Sequence, residues 1–346
     1  MAHDLDVPLA RKVAALGEPA SYPDENAGPL RAIETHMSWV FLTQQHAYKL
    51  KKPIRTGRQD SRTAAARRFY CDEELRINRR LAAPVYLDVV PLAMEASGRL
   101  RVGGHGPAAD WLVKMQRLDA DAMLDARLAC GQATARDMAH IAHRLAAFYK
   151  AQDPQLLDAP AYLAWLRERI ESAGRGLCDP AWSLSPRHTR ALWRGLRQAV
   201  QHHAGALAAR VAQGRIVEAH GDLRPEHVYL GQPLAIIDAL EFSRELRVQD
   251  SADEAGFLAL ECERAGHAWL AGCLLRDYRD ACSDAAPPPL VHLYQALRAA
   301  ERALLAIRHV REPRHEDPLN WRLRTRRYLA LGRWHLAASL SHALPA

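Results

Sequence analysis

Ile216-Val-Glu-Ala-His-Gly-Asp-Leu-Arg-Pro-Glu-His-Val-Tyr-Leu-Gly-Gln-Pro-Leu-Ala-Ile-Ile-Asp-Ala-Leu-Glu-Phe-Ser243 interrupts a chain that otherwise reads largely as Ala/Leu/Arg-rich helix. Val228–Leu230 is a short β-type run, Gly231-Gln232-Pro233 holds turn residues, and Leu234–Ile237 is a second apolar run. The pattern predicts a hairpin. A hairpin returns the chain beside its own start, so the loop His220–His227 and the carboxylate Asp238 are expected at one end of it. Two acids, Asp222 and Asp238, would then face one cavity, an arrangement suited to a metal and a polyphosphate.

Around this stretch the chain predicts helices over Leu124–Ala129, Thr134–Gln152, Ala159–Ser172, Pro186–Gln213, Asp253–Asp280, Pro289–His309 and Asn320–Leu340. The hairpin is the one β element expected among them. The first third is different. A helix candidate at Val7–Leu16 precedes three short β-type runs, Leu30–Glu34, Ser38–Thr43 and His46–Lys51, which predict an antiparallel meander. A helix over Ser61–Leu81 follows, then strands over Val85–Ala93, Arg99–Val102 and Trp111–Met115. The fold class is therefore α+β in two lobes: a small mixed-β lobe with one principal helix over residues 1–117, and a large helical lobe over 118–346.

The chain has 346 residues, 49% hydrophobic and 25% charged, as in an ordinary soluble globular protein large enough for two lobes. A net charge of +7 favours anionic partners. The arginines are spread along helices and no basic patch is interleaved with aromatics, so nucleic acid is not the expected partner. Six cysteines (Cys71, Cys130, Cys178, Cys262, Cys273 and Cys282) show no C-x-x-C spacing. Reduced thiols and a cytoplasmic protein are expected. The N-terminus carries no signal-peptide pattern, and no apolar run reaches the length of a membrane span.

Phosphoryl transfer needs cations on the phosphates, carboxylates for Mg²⁺, and a carboxylate facing the attacking hydroxyl. In chain order the sequence offers a strand lysine (Lys49 or Lys51), a helix acid to fix it (Glu74 or Glu73), the loop aspartate Asp222 and the hairpin aspartate Asp238. Three of the chain's six lysines fall in Lys49-Leu50-Lys51-Lys52. In a strand Ala47, Lys49 and Lys51 share one face. Such lysines serve equally well to protect a sheet edge.

His220-Gly221-Asp222, with His227 five residues on and then Ile236-Ile237-Asp238, resembles the aminoglycoside phosphotransferase family of the protein-kinase-like fold, whose pattern is H-G-D-x-x-x-x-N, an apolar strand and Asp. Ala47-Tyr48-Lys49 is similar to the kinase A-x-K, and Glu74 falls where the family's helix glutamate lies. Glu34–Leu42, Tyr48–Pro53, Glu73–Leu81 and Asp238–Phe242 resemble an uncharacterised bacterial branch that often carries an additional C-terminal P-loop domain. The P-loop signature does not occur in these 346 residues, so that domain is expected to be absent.

The resemblance implies a two-lobed kinase-like fold that binds ATP with Mg²⁺ (or Mn²⁺) and transfers a phosphoryl group to a hydroxyl of a small-molecule acceptor. Lys49 would contact the α- and β-phosphates with Glu74 holding it, and Lys51 is the alternative lysine. Met115, Gln116 and Leu118 would be the hinge against the adenine. Ser38, in the first hairpin's turn, would offer phosphate donors where the glycine loop is missing. Asp222 would orient the acceptor hydroxyl or accept its proton, His220 would structure the loop, and Asp238 would ligate the metal. Arg224 would neutralise the transferring group, or pair with Glu226 or Glu241. His227 replaces the pattern's metal-binding Asn, and imidazole is a poor ligand for Mg²⁺. Glu226 is then a candidate ligand beside it. Asp250 and Asp253 are expected to brace helices. His227 also supports a different class, a nucleotide-binding pseudokinase acting through a protein partner. The net charge alone supports a third, an RNA-binding helical protein.

Overall fold

The structure, a computed structural model, describes residues 5, 7–23, 25, 28–57, 59–311 and 317–341. The chain begins with α1 (Leu9–Leu16), β1 (Arg31–Glu34), β2 (Ser38–Leu42), β3 (His46–Lys51), α2 (Ala64–Ala82), β4 (Tyr86–Met94), β5 (Leu100–Val102) and β6 (Ala108–Gln116). It continues through α3 (Leu124–Ala129), α4 (Ala135–Lys150), α5 (Ala159–Leu177), α6 (Pro186–His202) and α7 (Ala204–Ala212). Then come β7 (Ile216–Glu218), β8 (Val228–Tyr229), β9 (Ala235–Ile236), α8 (Arg244–Arg247), β10 (Val248–Asp250), α9 (Ser251–Arg264), α10 (Ala268–Cys282), α11 (Pro288–His309) and α12 (Pro318–Leu340). Contacts divide this chain into two compact units. The first runs through Arg127 and includes Glu226–Leu246; the second is Leu128–Pro225 with the chain from Arg247 on. The sequence predicts a first lobe ending at residue 117. The contacts add residues 118–127 and the predicted hairpin to it.

In the first unit six antiparallel strands pair in the order β1-β2-β3-β6-β4-β5. The meander β1-β2-β3 forms as the sequence predicts. Its third strand lies between β2 and β6, with Lys49 opposite both Val40 and Val113. The lysines therefore protect no edge, since the edge strands are β1 and β5. Side-chain alternation sends Tyr48 and Leu50 to one face, where they pack with Phe41, Leu92, Leu112 and Leu16 of α1. Ala47, Lys49 and Lys51 take the other face, shared with Val113, Met115, Tyr86, Cys71 of α2 and Ala235 of β9. Helix α2 starts at Thr63, whose side chain accepts the Ala66 N–H. Its buried positions Arg67, Cys71, Glu74, Ile77, Asn78 and Leu81 fall on one helical face, so three polar side chains are carried into the core. Buried Asp110 on β6 joins Lys12 of α1 (2.7 Å) and Arg67 of α2 (2.8 Å), clamping both helices to the sheet.

The second unit is built around α9, buried from Ser251 to Cys262, with α10, α11 and α12 packed against it. Strands β7 and β10 pair antiparallel with Ile216 opposite Asp250. The hairpin is thus not the sole β element after residue 118. Three residues per strand are too few for a periodicity to show. Two predicted helices are each two. Pro186–Gln213 breaks at His203, whose ring nitrogen bonds the Ser339 carbonyl (2.9 Å) and hydroxyl (3.0 Å). Asp253–Asp280 breaks at Gly266, where φ is +96°, a left-handed conformation that glycine adopts without strain. Cys71, Cys262 and Cys282 are buried thiols, Cys178 and Cys273 partly so, and Cys130 is exposed; none is in a disulfide. Among the described residues no helix is long and apolar enough to cross a membrane.

Candidate active site

In the first unit a chain of alternating charges forms beside β3. Lys49 Nζ lies 2.8 Å from Glu74 Oε1 and 2.6 Å from Asp238 Oδ1. Lys51 Nζ lies 2.6 Å from Glu74 Oε2 and 2.5 Å from Glu241 Oε1. The sequence left two lysines and two acids open. Both lysines meet Glu74, while Glu73 turns outward to Arg76 (2.7 Å). Burial alone would push the Glu74 carboxyl up, but the two ammonium groups outweigh it and hold the carboxyl below its ordinary range. Burial likewise opposes charge on Lys49, yet Asp238 and Glu74 raise it well above the ordinary lysine value. Lys51 is almost sealed, with its side chain 2% exposed, whereas 46% of the Asp238 side chain is exposed.

Asp238 follows β9, and the hairpin β8–β9 forms with Val228 opposite Ile236. Its backbone is left-handed, φ +62°, a region in which aspartate is one of the few tolerated side chains. Two side chains hold it there. The Asp238 N–H donates to the Tyr86 hydroxyl (3.0 Å), and the Ala239 N–H donates to Asn78 Oδ1 (2.8 Å). Asn78 in turn donates to the Glu74 carbonyl one helical turn back (3.0 Å). One face of α2 thus grips the lysines through Glu74 and the aspartate segment through Asn78. His227 is buried; its carbonyl accepts the Ile237 N–H (2.9 Å), and its Nε2 is 3.7 Å from Asp238 Oδ2. Glu226 is half-buried in the one-turn segment Pro225–His227.

Met115 is buried opposite Ala47, and with Leu118, Val40, Leu42 and Ile237 it belongs to one apolar cluster. Gln116 is exposed and its amide reaches the Gln45 carbonyl at 3.3 Å. The Ser38 backbone is engaged inside the turn. The residue is buried, its N–H donates to Thr35 Oγ1 (2.9 Å), and its carbonyl accepts from the Thr35 N–H (2.8 Å). Closing the tight turn engages both backbone groups.

In the second unit the loop after β7 is held from below by Glu254. This fully buried carboxylate accepts the N–H groups of His220 (3.0 Å) and Gly221 (2.7 Å), the Tyr149 hydroxyl (2.8 Å) and the Gln249 amide (2.6 Å). Burial raises its pKa, and these donors only partly offset the effect. Gly221 has φ +94°, so the loop bends where a side chain would be strained. His220 is buried and its Nδ1 accepts the Asp222 N–H at 3.3 Å, a loop-structuring role. Asp222 Oδ2 accepts from Arg224 Nε at 2.9 Å, and its Oδ1 lies 3.8 Å from Arg302 Nη1 on α11. Arg224 thus pairs with Asp222, and Glu241 is held by Lys51. Asp250 binds Arg210 (2.6 Å) and caps α9, while Asp253 binds Arg298 (2.7 Å) and Arg169 (2.9 Å). Both brace helices.

Glu254, Tyr86 and Arg302 adjoin the candidate residues, and sequence patterns did not expose them. Asn78 had a signal, lying one turn from Glu74 within the same motif.

No family model matches the sequence. An uncharacterised protein of Mycobacterium tuberculosis strain H37Rv is 32% identical over 274 residues, 78% of this chain and 53% of that protein. An uncharacterised Mycobacterium bovis protein matches to the same extent. The chain spans about half the length of these curated relatives. Among solved structures, choline kinase from Cryptosporidium parvum superposes with a TM-score of 0.56 at 11% identity, covering 93% of this chain and 95% of that one. The GDP complex of aminoglycoside 2'-phosphotransferase-IIIa gives 0.54 at 12% identity, over 94% and 98% of the two chains. A choline/ethanolamine kinase family protein from Mesorhizobium loti also gives 0.54, at 17% identity over 95% and 99%. The chain has the protein-kinase-like fold. Within the kinase-like fold, the helix that carries Glu74 and the strand that carries Lys49 belong to the β-sheet unit, and the His220–Arg224 loop belongs to the helical one.

Proposed function

We propose that this chain is an ATP-dependent phosphotransferase acting on a hydroxyl of a small-molecule acceptor. The ion chain Asp238–Lys49–Glu74 carries the proposal: a lysine fixed by a helix glutamate beside a half-exposed aspartate is the equipment that phosphate binding and metal binding require. Lys49 binds the α- and β-phosphates and Glu74 keeps it in place, with Lys51 behind it. Met115, Gln116 and Leu118 lie against the adenine. Asp222 orients the acceptor hydroxyl and takes its proton as the new O–P bond forms and the bond from the γ-phosphorus to the bridging oxygen breaks, releasing ADP, with Arg224 beside the transferring group. The solved neighbours, named as aminoglycoside, choline and choline/ethanolamine kinases, support a small-molecule acceptor. Free thiols support a cytoplasmic setting.

The residues fit Mg²⁺. The described residues hold no cluster of three or more His, Cys, Asp or Glu side chains able to cage a metal. Mg²⁺ is ordinarily held by one or two carboxylates plus substrate phosphates, and Asp238 presents an exposed carboxylate for that arrangement. When bound, the ion neutralises phosphate charge.

The test is a metabolite-pool phosphorylation assay with ATP, and GTP in parallel. Asp222→Asn and Asp238→Ala are expected to lower turnover by about 10²–10⁴-fold. An Asp222→Asn protein that matches wild type overturns the assignment. A second reading, a nucleotide-binding pseudokinase, is favoured by the His227 imidazole beside Asp238. It requires a thermal shift with ATP that neither Mg²⁺ nor Mn²⁺ changes, and no product.

A further inference from the structure

Four arginines of the second unit lie among the buried acids of α9, and three are well engaged. Arg169 binds Glu301 through Nε (2.8 Å) and Nη2 (2.8 Å), and Asp253 through Nη1 (2.9 Å). Arg298 binds Asp253 (2.7 Å) and Gln249, and Arg264 binds Glu261 (2.7 Å). Arg302, one turn beyond Arg298 on α11, is different. Its Nε–H is buried with no hydrogen-bond partner among the described residues. Its two carboxylate neighbours are distant, Asp222 Oδ1 at 3.8 Å from Nη1 and Glu261 Oε1 at 3.8 Å from Nε. Those carboxylates have closer partners. Glu261 receives the Tyr328 hydroxyl (2.6 Å) and Arg264 (2.7 Å), and Asp222 receives Arg224 (2.9 Å). The Phe257 ring, 5.9 Å from the guanidinium, lies on its flank.

A buried donor left without an acceptor is costly and rare in folded proteins. A guanidinium offers a planar fork that matches an oxyanion. We infer that Arg302 receives an anionic group of the acceptor, so that, resting on the phosphotransferase reading above, the substrate class is an alcohol that also carries a carboxylate or phosphate. Electrostatics points the same way. A positively charged acceptor whose hydroxyl reached Asp222 would meet Arg224 and Arg302 in a partly buried setting, where like charges repel strongly. An anionic acceptor meets two cations there. The chain then differs from kinases of cationic amino alcohols and amino sugars in what surrounds the aspartate, while sharing their fold.

The experiment sorts a metabolite pool by ion exchange into anionic, neutral and cationic fractions. Each fraction is incubated with radiolabelled ATP and wild type, Arg302→Gln or Asp222→Asn. Label transfer is expected in the anionic fraction and is lost with Asp222→Asn. With the active acceptor, Arg302→Gln raises its KM by about 10–100-fold and leaves the KM for ATP within about twofold. Circular dichroism and the melting midpoint report folding. If Arg302→Gln does not fold, Arg302→Lys keeps the charge, loses the fork, and is expected to raise the acceptor KM by a smaller factor. Transfer confined to the neutral or cationic fraction overturns the inference. So does an Arg302 variant that raises the KM for ATP and not for the acceptor, which would place Arg302 on the transferring phosphoryl group. No Asp222-dependent label in any fraction is a separate outcome, and it brings down the phosphotransferase reading together with the substrate class.

Discussion

The Lys49 ion chain of the first unit and the Arg210 cluster of the second are both buried charge clusters, built to opposite ends. In the second unit Arg210 is held by Asp250 and by Asp284, whose remaining oxygen contacts include the Tyr294 and Tyr278 hydroxyls (2.7 and 2.8 Å). All three charged residues are almost fully buried, so the knot is closed. In the first unit the chain Asp238–Lys49–Glu74–Lys51–Glu241 is buried at its centre and exposed at its Asp238 end. Desolvating ions costs several kcal/mol each, and close partners offset that. A closed knot can therefore only brace. A chain ending in an exposed carboxylate can exchange that carboxylate's partner for another cation without uncovering its centre. Under the phosphotransferase proposal, the position of the open end separates a structural cluster from a working one.

The largest expected effect tests the closed side. Arg210→Met leaves Asp250 and Asp284 buried without their shared cation, and is expected to cost about 3–5 kcal/mol in urea denaturation. A loss under about 1 kcal/mol would mean that the knot is no more than a surface-grade pair, and the contrast would collapse.

Glu74→Gln tests the open side, and a smaller cost is expected because Lys49 keeps Asp238 and Lys51 keeps Glu241. Gln keeps an acceptor oxygen for one lysine and loses the charged hydrogen bond to the other, which gives about 1.5–3 kcal/mol. The sign with pH is fixed by the direction of the shift. Glu74 has a lowered carboxyl pKa in the folded state, so its contribution is present above the unfolded value near ~4.3 and lost as pH falls through the folded value. The stability gap between wild type and Glu74→Gln should be full at neutral pH and narrow in acid below about pH 4. A gap that widens in acid contradicts the assignment of Glu74 as the charged centre.

What the sequence revealed follows the range of the interactions. Strands β1 to β3, the Lys49 strand, the Glu74 helix and the Asp238 hairpin were legible because each is specified within about ten residues by alternation, turn residues or helical spacing. Glu254 was hidden among Asp250 and Asp253. Helix α9 is buried on every side, so it has no apolar stripe to show which acid faces the His220 loop. Tyr86 and Asp238 are 152 positions apart in sequence, and nothing local marks a hydroxyl on β4 as a backbone acceptor. Arg302 reads as one more helix arginine until Asp222 is placed near it. The Gly266 break shows in the sequence only as one glycine in a helical run. Nothing local marks the break at His203, and its ring partner lies 136 residues away.

The smallest effect probes how the open end is kept in place. Asp238 adopts φ +62°, a conformation that costs most side chains roughly 1–2 kcal/mol. The Tyr86 hydroxyl and Asn78 amide accept the two successive N–H groups at that point, so the strain is held locally. Tyr86→Phe removes one acceptor and leaves the buried ring in place. It is expected to lower global stability by about 1 kcal/mol, because Asn78 still holds Ala239. If Asp238 is the metal carboxylate, its aim depends on this backbone more than the phosphate contact of Lys49 does. The variant should therefore shift thermally with ATP alone as wild type does, and lose part of the added shift that Mg²⁺ or Mn²⁺ gives. Asn78→Ala should act in the same direction, and the double variant should exceed the sum of the two, because the second substitution leaves the left-handed turn with neither acceptor. Strict additivity, with the metal-dependent shift intact, would show that Asp238 is held by its ion pair with Lys49 and not by its backbone.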